Sequence, residues 1–288
     1  MPDQAQQLRN LVWRNQNTAR TIAVTSGKGG VGKTSTSVNL AIALAARGGR
    51  VVIMDADLGL ANVEVLMGLN SLYNIEHVIE GERAMRDILV KGPGGIEIVP
   101  GSSGLAKVAD LTQQGRANLL NGLKQLQEEV DYIIIDTMAG IGRNVIAFAL
   151  AADEILIVTT PEPSSIVDAY AMLKTLYANR EDAVIRLLVN MAASQAQANA
   201  VSQKLANVAT QYLGRTLTPL GFLPRDPHVS QAVMQSQPYT LLYPHAPVTK
   251  HLHEIAARLH HQQPTQEPAK PTTFLKRFAQ SFGLASNQ

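Results

Sequence analysis

The fold class is decided by one stretch near the start of the chain, Gly27-Lys28-Gly29-Gly30-Val31-Gly32-Lys33-Thr34. It matches the pattern G-x-x-x-x-G-K-[S/T] in full, and it lies between an apolar run and a segment long enough for a helix. Glycines allow backbone N–H groups to converge on phosphate oxygens, and the helix N-terminus adds its positive dipole. We therefore expect Lys33 to reach the β- and γ-phosphates of a nucleotide, Thr34 to ligate Mg²⁺, and Ser35 to border the same site.

Short apolar runs rich in Ile and Val recur before and after this loop. They are Thr21–Thr25, Val51–Met54, Ile96–Val99, Tyr132–Ile135, Ile155–Thr159, Ile185–Val189 and Leu217–Leu223. Runs without polar alternation are typical of strands buried on both faces. Helix-length segments separate most of them, namely Lys33–Arg47, Gly115–Glu129, Arg143–Ala151, Ser164–Asn179 and Ala196–Leu213. The alternation predicts an α/β fold, a doubly wound and mostly parallel sheet with helices on both faces and ligands at the carboxyl ends of its strands.

Composition narrows the function classes. The chain has 288 residues, of which 45% are hydrophobic and 17% charged, and its formal net charge is +2. It contains no cysteine, which excludes disulfides, thiolate zinc sites, cysteine-ligated iron–sulfur clusters and thiol nucleophiles. No apolar stretch of membrane-spanning length and no apolar signal-peptide core occurs in the sequence, so we expect an intracellular protein.

Two groups of acidic residues follow apolar runs. Asp55 and Asp57 come after Val51–Met54, and Asp136 comes directly after Tyr132–Ile135. A single carboxylate at a strand end can be a helix cap, but a pair at spacing i, i+2 indicates a role in holding Mg²⁺ or water. Asp136 is expected to hold Mg²⁺ through water molecules.

Lys28 is an additional lysine inside the loop, and a solvated side chain is its simplest explanation. The pattern Lys-Gly-Gly-x-Gly-Lys-Thr, however, resembles the deviant Walker A signature of the family that contains MinD, ParA and the nitrogenase iron protein. The resemblance implies that Lys28 contacts nucleotide across a dimer interface, so that ATP joins two subunits. It further implies that Asp57 positions the attacking water while Asp55 supports the metal shell, and that Lys28, Lys33 and Asp57 form the catalytic set. Met138 departs from the family pattern, which usually has Gly or Pro there.

Residues that follow the later apolar runs bear on whether the nucleotide carries adenine or guanine. No Asn-Lys-x-Asp guanine-reading motif is present, which favours ATP and ADP. Asn190 ends one apolar run, and Pro224-Arg225-Asp226 follows another. In the MinD-like family the corresponding Asn and a Pro-containing loop frame adenine, so the resemblance implies that Asn190, Pro224, Arg225 and Asp226 contact the base. A simple turn residue is the alternative for Asn190.

The carboxyl end carries an aromatic helical pattern behind a proline-containing linker. Phe274, Phe278 and Phe282 recur at i, i+4 and i+8, and Leu275 joins their face. The polar and basic residues, including Lys276 and Arg277, lie elsewhere on the helical wheel. A short basic helix with an aromatic face suits an anionic membrane surface, and MinD-like proteins place a membrane-targeting helix at this end. A helix docked on the core of the protein itself is the alternative.

The amino-terminal segment indicates a particular branch of the family more specifically than the carboxyl end does. Its motif Asp3-Gln4-Ala5-Gln6-Gln7-Leu8-Arg9 resembles the DQAxxLR motif of the FlhG branch (also called FleN or YlxH), the MinD-like regulators of flagellar number and placement. The resemblance covers nearly the whole chain. It implies that Asp3, Gln4, Ala5, Leu8 and Arg9 act on FlhF, a GTPase of the signal-recognition-particle type, and that C-ring proteins of the flagellar basal body are further partners. A disordered polar tail is the alternative.

The expected organisation has four parts. Residues 1–20 form the partner-activating extension, 21–261 the ATPase domain, 262–273 the linker and 274–288 the membrane-targeting helix. We expect a slow ATPase that forms a homodimer with ATP and shuttles between the cytoplasm and the inner face of the cell membrane. A MinD-type division-site positioner and a ParA-type DNA-partitioning ATPase are the rival interpretations. DNA is not expected as a partner, because a net charge of +2 is by itself too weak to argue for nucleic-acid binding, which normally shows a concentrated basic face.

Overall fold

An eight-stranded sheet forms the centre of the computed structural model, which describes residues 18–57, 62–101, 111–261 and 272–284, without the side chains of residues 261, 272 and 273. The strand order is β3-β4-β2-β5-β1-β6-β7-β8, and every pairing is parallel except that of β3 with β4. The strands are β1 Arg20–Ser26, β2 Val51–Ala56, β3 Val90–Lys91, β4 Glu97–Val99, β5 Tyr132–Ala139, β6 Glu154–Thr159, β7 Val184–Ala192 and β8 Thr218–Pro224. All seven predicted runs are strands, and the prediction of a mostly parallel α/β sheet is confirmed. The two-residue β3 was missed because it is too short to carry a pattern.

Helices connect the strands. The α-helices of the described residues are α1 Lys33–Ala45, α2 Asn62–Met67, α3 Ile75–Ile79, α4 Gln113–Glu129, α5 Arg143–Ala151, α6 Pro163–Asn179, α7 Gln195–Val208, α8 Pro227–Met234, α9 Tyr239–Leu242, α10 Pro247–His261 and α11 Thr272–Ser281. A turn of π-helix, Ala209–Leu213, follows α7. The five helices predicted between strands correspond to α1 and α4–α7. Within the described ranges, no helix combines the length and apolar character that crossing a membrane requires.

Two separate hydrophobic cores cover the two faces of the sheet. Ile133 and Ile135 of β5 belong to the core shared with α3–α7 and α11, whereas Tyr132 and Ile134 belong to the core shared with α1, α2 and α8–α10. Successive strand residues point to opposite faces, so burial on both faces explains why this strand is apolar throughout. The doubly wound architecture follows directly from that pattern.

The aromatic face of α11 is docked on the protein itself. Phe274, Phe278 and Phe282 are at most 4% exposed, and the Phe148 ring of α5 lies 5.8 Å from the Phe278 ring and 4.8 Å from the Phe282 ring, centroid to centroid. Helix α5 is buried on several sides, since most of its residues are less than 9% exposed. A helix that is apolar around most of its circumference requires cover on both sides. The sheet covers one side and α11 covers the other.

Polar contacts fix the position of α11. Arg277 donates from Nε to the carbonyl oxygen of Ala151 at 3.0 Å and from Nη2 to Oδ1 of Asp153 at 2.5 Å. The other oxygen of Asp153 accepts from the backbone N–H of Thr21 at 2.9 Å and from its hydroxyl at 2.6 Å. Arg277 therefore ties the helix to the end of α5 and, through Asp153, to the first strand.

Candidate functional site

The predicted phosphate loop connects β1 to the N-terminus of α1. Gly32 is the N-cap of α1 and has φ 86°, a left-handed conformation that favours glycine. Gly27 has a different constraint, because a Cβ atom there would lie 2.3 Å from the backbone oxygen of Asp168 in α6. The two glycines thus permit the tight turn and the close approach of α6, while the N–H groups of the first turn of α1 lack intrahelical acceptors.

The predicted magnesium residues come together beside this loop. Asp55 and Asp136 are register partners on the adjacent strands β2 and β5. The Thr34 hydroxyl donates to Oδ2 of Asp136 and the Ser37 hydroxyl donates to Oδ1, both at 2.7 Å. Ser37 was missed from the sequence, although its position one helical turn after Lys33 was a usable signal. The result is an oxygen-rich corner next to Lys33.

Asp55 and Asp57 are held by the segment that follows β2. Asp55 accepts from the backbone N–H of Asp57 at 2.9 Å and from that of Val63 at 3.2 Å. Asp57 in turn accepts from the side-chain amide of Asn62 at 2.6 Å. Both carboxylates are therefore fastened to the start of α2, so the position of this short helix depends on the acidic pair.

Burial shifts the pKa values of the charged groups in this corner. It raises the pKa of Asp55 to about 7 and that of Asp136 to about 6, and it lowers the pKa of Lys33. Hydrogen bonds from Ser37 and Thr34 partly offset the effect at Asp136, while the charges of Asp136 and Asp57 partly offset it at Lys33. Buried carboxylates of this kind gain from a cation.

These residues fit Mg²⁺ with a nucleotide. Among the residues that the structure describes, no group of three or more His, Asp or Glu side chains is arranged to hold a metal ion by itself. Mg²⁺ usually takes one or two protein oxygens, completing its octahedron with water and substrate phosphates. The Thr34 hydroxyl and the carboxylates of Asp55 and Asp136 supply oxygen donors of that type, which suit Mg²⁺ better than a softer metal.

Lys28 has two partners within the same chain. Its Nζ lies 2.6 Å from a carboxylate oxygen of Glu162 and 2.8 Å from the hydroxyl of Ser164, in the loop and first turn between β6 and α6. The interaction lowers the pKa of Glu162. Lys28 is thus held beside the loop on the side of α6. Neither Glu162 nor Ser164 was identified from the sequence as its partner.

The residues predicted to contact adenine lie on the far side of the loop, at the ends of β7 and β8. The Asn190 side chain donates to the carbonyl of Val31 at 2.8 Å and accepts from the backbone N–H of Met191 at 2.8 Å. The Asp226 carboxylate caps α8 at the N–H of His228 and accepts from the N–H of Val248. In this arrangement both side chains support neighbouring backbone.

The remaining predicted site residues are elsewhere. Residues 3–9 lie outside the described part of the chain, so the roles of Asp3, Gln4, Ala5, Leu8 and Arg9 stay predictions. The side chains predicted to meet a membrane are divided, with Phe274, Phe278 and Phe282 buried, Leu275 and Arg277 half-buried and Lys276 exposed. The face proposed for lipid is therefore occupied by α5 in this conformation.

Comparisons with known proteins agree with this geometry. The family model described as "ParA: NUBPL iron-transfer P-loop NTPase" matches residues 17–260. The antiactivator FleN of Pseudomonas aeruginosa is 40% identical over 259 residues, which cover 90% of this chain and 91% of that protein. The chain belongs to the FlhG (FleN/YlxH) branch of the MinD/ParA family.

Two further relatives support the assignment. The flagellum site-determining protein YlxH of Helicobacter pylori is 37% identical over 217 residues, covering 73% of each chain. The MinC:MinD cell division protein complex of Aquifex aeolicus superposes with a TM-score of 0.69 at 25% identity, covering 87% of this chain and all of that chain. Members of this family are P-loop ATPases. Because the chain lacks cysteine, the iron-transfer part of the family description has no thiolate ligands here.

Proposed function

We propose that this chain is an ATP-driven switch that regulates flagellar number and placement. Its relatives carry the names antiactivator FleN and flagellum site-determining protein YlxH, which supports a flagellar client. The complete phosphate loop and the acidic corner support nucleotide binding with Mg²⁺. In the proposed cycle, ATP joins two copies into a homodimer through Lys28, and hydrolysis to ADP and phosphate separates them again.

Positioning and electrostatics account for the proposed hydrolysis. Lys33 and the N–H groups of the loop neutralise phosphate oxygens, with Ser35 at the edge of the same turn. Thr34, Asp55 and Asp136 would hold Mg²⁺, which when bound would supply positive charge to the phosphates. Asp57 orients the attacking water from the end of β2. Lys28 of the second copy adds positive charge after leaving Glu162 and Ser164.

The observation that carries the membrane part of the proposal is the position of α5. This helix is the element that follows β5, the strand that carries Asp136, and its Phe148 side chain packs against Phe278 and Phe282 of α11. Helix α5 thus contacts both the strand that leads from the nucleotide site and the helix α11 that covers it. We propose that ATP-dependent dimerisation releases α11, whose aromatic face and Lys276 and Arg277 then bind an anionic membrane at the inner face of the cell membrane.

Two released helices in one dimer provide avidity. A single short amphipathic helix binds a membrane weakly, whereas two linked helices act at a high effective concentration. In the proposed cycle, the ADP form is cytoplasmic with α11 docked, and the ATP form is bound to the membrane. We assign the segment 1–20 to stimulation of the GTPase FlhF, and C-ring proteins of the basal body to the partners of the switch.

Liposome co-sedimentation tests the membrane switch. The full chain and a chain ending at Pro271 are compared on anionic vesicles with ATP and with ADP. We expect ATP-dependent pelleting of the full chain and none of the truncated chain. Equal pelleting in both nucleotides, or none in either, would contradict the switch, and salt-sensitive binding of the ATP form to arbitrary DNA would favour the DNA-partitioning alternative.

A second assay tests the flagellar client. FlhF GTPase activity is measured with the full chain and with a chain lacking residues 1–17. Stimulation by the full chain alone is expected, while the deletion variant retains its own ATPase activity. Equal stimulation by the two chains would assign the effect to the ATPase domain, and no stimulation would favour a MinD-type division-site role.

A further inference from the structure

Helix α11 covers an apolar surface of α4 and α5, which is the α11 groove. On α5, Phe148 packs against Phe278 and Phe282 and is 1% exposed. On α4, Arg116 donates to the carbonyl of Gly283, just beyond the end of α11, at 3.5 Å. Release of α11 without a replacement would open this groove to water, at a cost in free energy. A second occupant would remove that cost.

The described chain begins at one end of this groove. Ala19 is 3% exposed, and its N–H donates at 2.8 Å to the carbonyl of Gln127 in the last turn of α4. Two residues later, the N–H of Thr21 donates to one oxygen of the Asp153 carboxylate, while Arg277 of α11 donates to the other oxygen. The preceding residues of the chain therefore leave from the place where Arg277 fixes α11.

The segment that precedes the described chain is long enough to cover the groove. As an α-helix, residues 1–17 would measure about 25 Å, against about 15 Å for α11. Ala5, Leu8 and Val12 recur at i, i+3 and i+7, a spacing that places apolar side chains on one face of a helix. The length, the point of departure and the apolar pattern thus all suit an occupant of the α11 groove.

The charges of the groove and of this segment are complementary. When Arg277 leaves with α11, the Asp153 carboxylate loses the guanidinium that pairs with it, although its side chain is only 16% exposed with α11 in place. A carboxylate in such a position is stabilised by a new cation. Arg14 stands seven residues before Thr21, whose N–H binds the same carboxylate. The chain therefore carries a guanidinium that can replace that of Arg277.

On the basis of the proposed release of α11, we propose that residues 1–17 of the same chain take its place in the α11 groove, with Arg14 on Asp153. The two amphipathic segments are then alternative occupants of one surface. While α11 is docked, the amino-terminal segment is available to a partner protein. While α11 lies on a membrane, the apolar face of that segment is covered. Membrane binding thereby withdraws the residues that are predicted to act on a partner.

Hydrogen exchange of the full chain, without vesicles, tests this assignment. The double substitution Phe274→Asp and Phe278→Asp places two carboxylates against Phe148 and so frees α11 whether or not ATP does. In this released variant we expect amide exchange of residues 1–17 to slow about tenfold relative to the wild type, because the segment then occupies the groove. Unchanged protection of strands β1 and β5 shows that the variant is folded. Arg277→Glu, which removes the polar contact of α11, is a second releasing variant and should slow the exchange in the same direction.

Matched substitutions within the released variant test the apolar face of the segment. Leu8→Asp with Val12→Asp should return exchange of residues 1–17 to the wild-type rate, because buried charges oppose docking. Gln6→Asp with Asn10→Asp adds the same charge to the opposite face of the predicted helix and should leave the slow exchange unchanged within about twofold. Arg14→Gln should speed the slow exchange about threefold, through loss of the ion pair with Asp153.

The outcomes separate this inference from the proposed function. Equally fast exchange of residues 1–17 in the wild type and the released variant would overturn the inference. Equally slow exchange in both would also overturn it, because the segment would then bind at a place that α11 does not occupy. A wild-type chain that binds no anionic vesicles with ATP would instead overturn the proposed membrane switch. The released variant, which needs neither vesicles nor ATP, would still decide which segment fills the groove.

Discussion

Arg277 of α11 lies 2.5 Å from the carboxylate of Asp153, an ion pair whose side chains are only 21% and 16% exposed. Asp153 directly precedes β6 and follows the carboxyl end of α5, whereas Asp136 lies on the strand that precedes the amino end of that helix. The pair therefore fixes the docked helix without touching the nucleotide site.

Weakening this pair should favour membrane binding without changing the lipid-binding sequence. Asp153→Asn removes the charge that holds Arg277, so we expect ADP-loaded protein to partition onto anionic vesicles about fivefold more strongly. Hydrogen exchange of α11 should become faster in the same variant. Asp182→Asn, at an exposed carboxylate, is the control. Unchanged vesicle binding would mean that the aromatic contacts alone determine docking.

Lys28 should be dispensable for nucleotide binding by a single copy. Its amine is engaged by Glu162 and Ser164, so removing it leaves the loop around Lys33 intact. For Lys28→Ala we expect the ADP dissociation constant to stay within about twofold and the ATP-dependent dimer to be lost in light scattering. Lys33→Ala should lose nucleotide binding itself. A Lys28→Ala dimer of normal stability would contradict the cross-interface role.

The stability of the nucleotide-free protein should fall as pH rises towards neutrality. Asp55 has a folded-state pKa of about 7 against an ordinary value of 3.8, so its proton is held more tightly in the folded state. This contribution is complete below pH 3.8 and is lost as pH rises through about 7. Its size is on the order of a few kcal/mol.

Urea unfolding at pH 5 and pH 8, without nucleotide or Mg²⁺, measures this effect. Asp55→Asn should reduce the loss of unfolding free energy between the two pH values, whereas Glu181→Gln, at an exposed carboxylate, should not. Asp136, whose pKa is also raised, accounts for the part that remains. A variant with the wild-type pH dependence would show that Asp55 stays ionised throughout.

Two glycines of the phosphate loop should differ in their tolerance to alanine. A Cβ at Gly27 would meet the backbone of Asp168, whereas a Cβ at Gly29 has nothing within 4 Å. We expect Gly27→Ala to lower the unfolding free energy of the empty protein by about 1–3 kcal/mol and Gly29→Ala by less than about 0.5 kcal/mol. Similar values for both would place α6 farther from the loop than it is here.

The sheet could be predicted well because each buried strand is marked by a short apolar run within its own sequence. The run Tyr132–Ile135, for example, is continuously apolar and lies in the part of β5 that is buried on both faces. Helices α8 to α10 were missed because they are short or carry histidines and prolines that disturb the helical pattern. The predicted strand ends were sufficient to bring Asp55 and Asp136 together.

Side-chain partners could not be predicted in the same way. Lys28 with Glu162 and Asn190 with Val31 are contacts between residues more than 100 positions apart, and no local pattern encodes them. The aromatic spacing at Phe274, Phe278 and Phe282 correctly predicted an amphipathic helix. It did not distinguish a lipid surface from Phe148, because both present an apolar face.

In the proposed switch, α5 and the membrane compete for the aromatic face of α11. An isolated peptide with the sequence of α11 would meet a membrane freely, whereas in the whole protein each binding event would first displace Phe148. The apparent affinity of the protein is therefore the intrinsic affinity of the peptide reduced by the fraction of molecules with the helix free. Substitutions in α5, which never meet lipid, would thus set the nucleotide and protein concentrations at which the membrane becomes occupied.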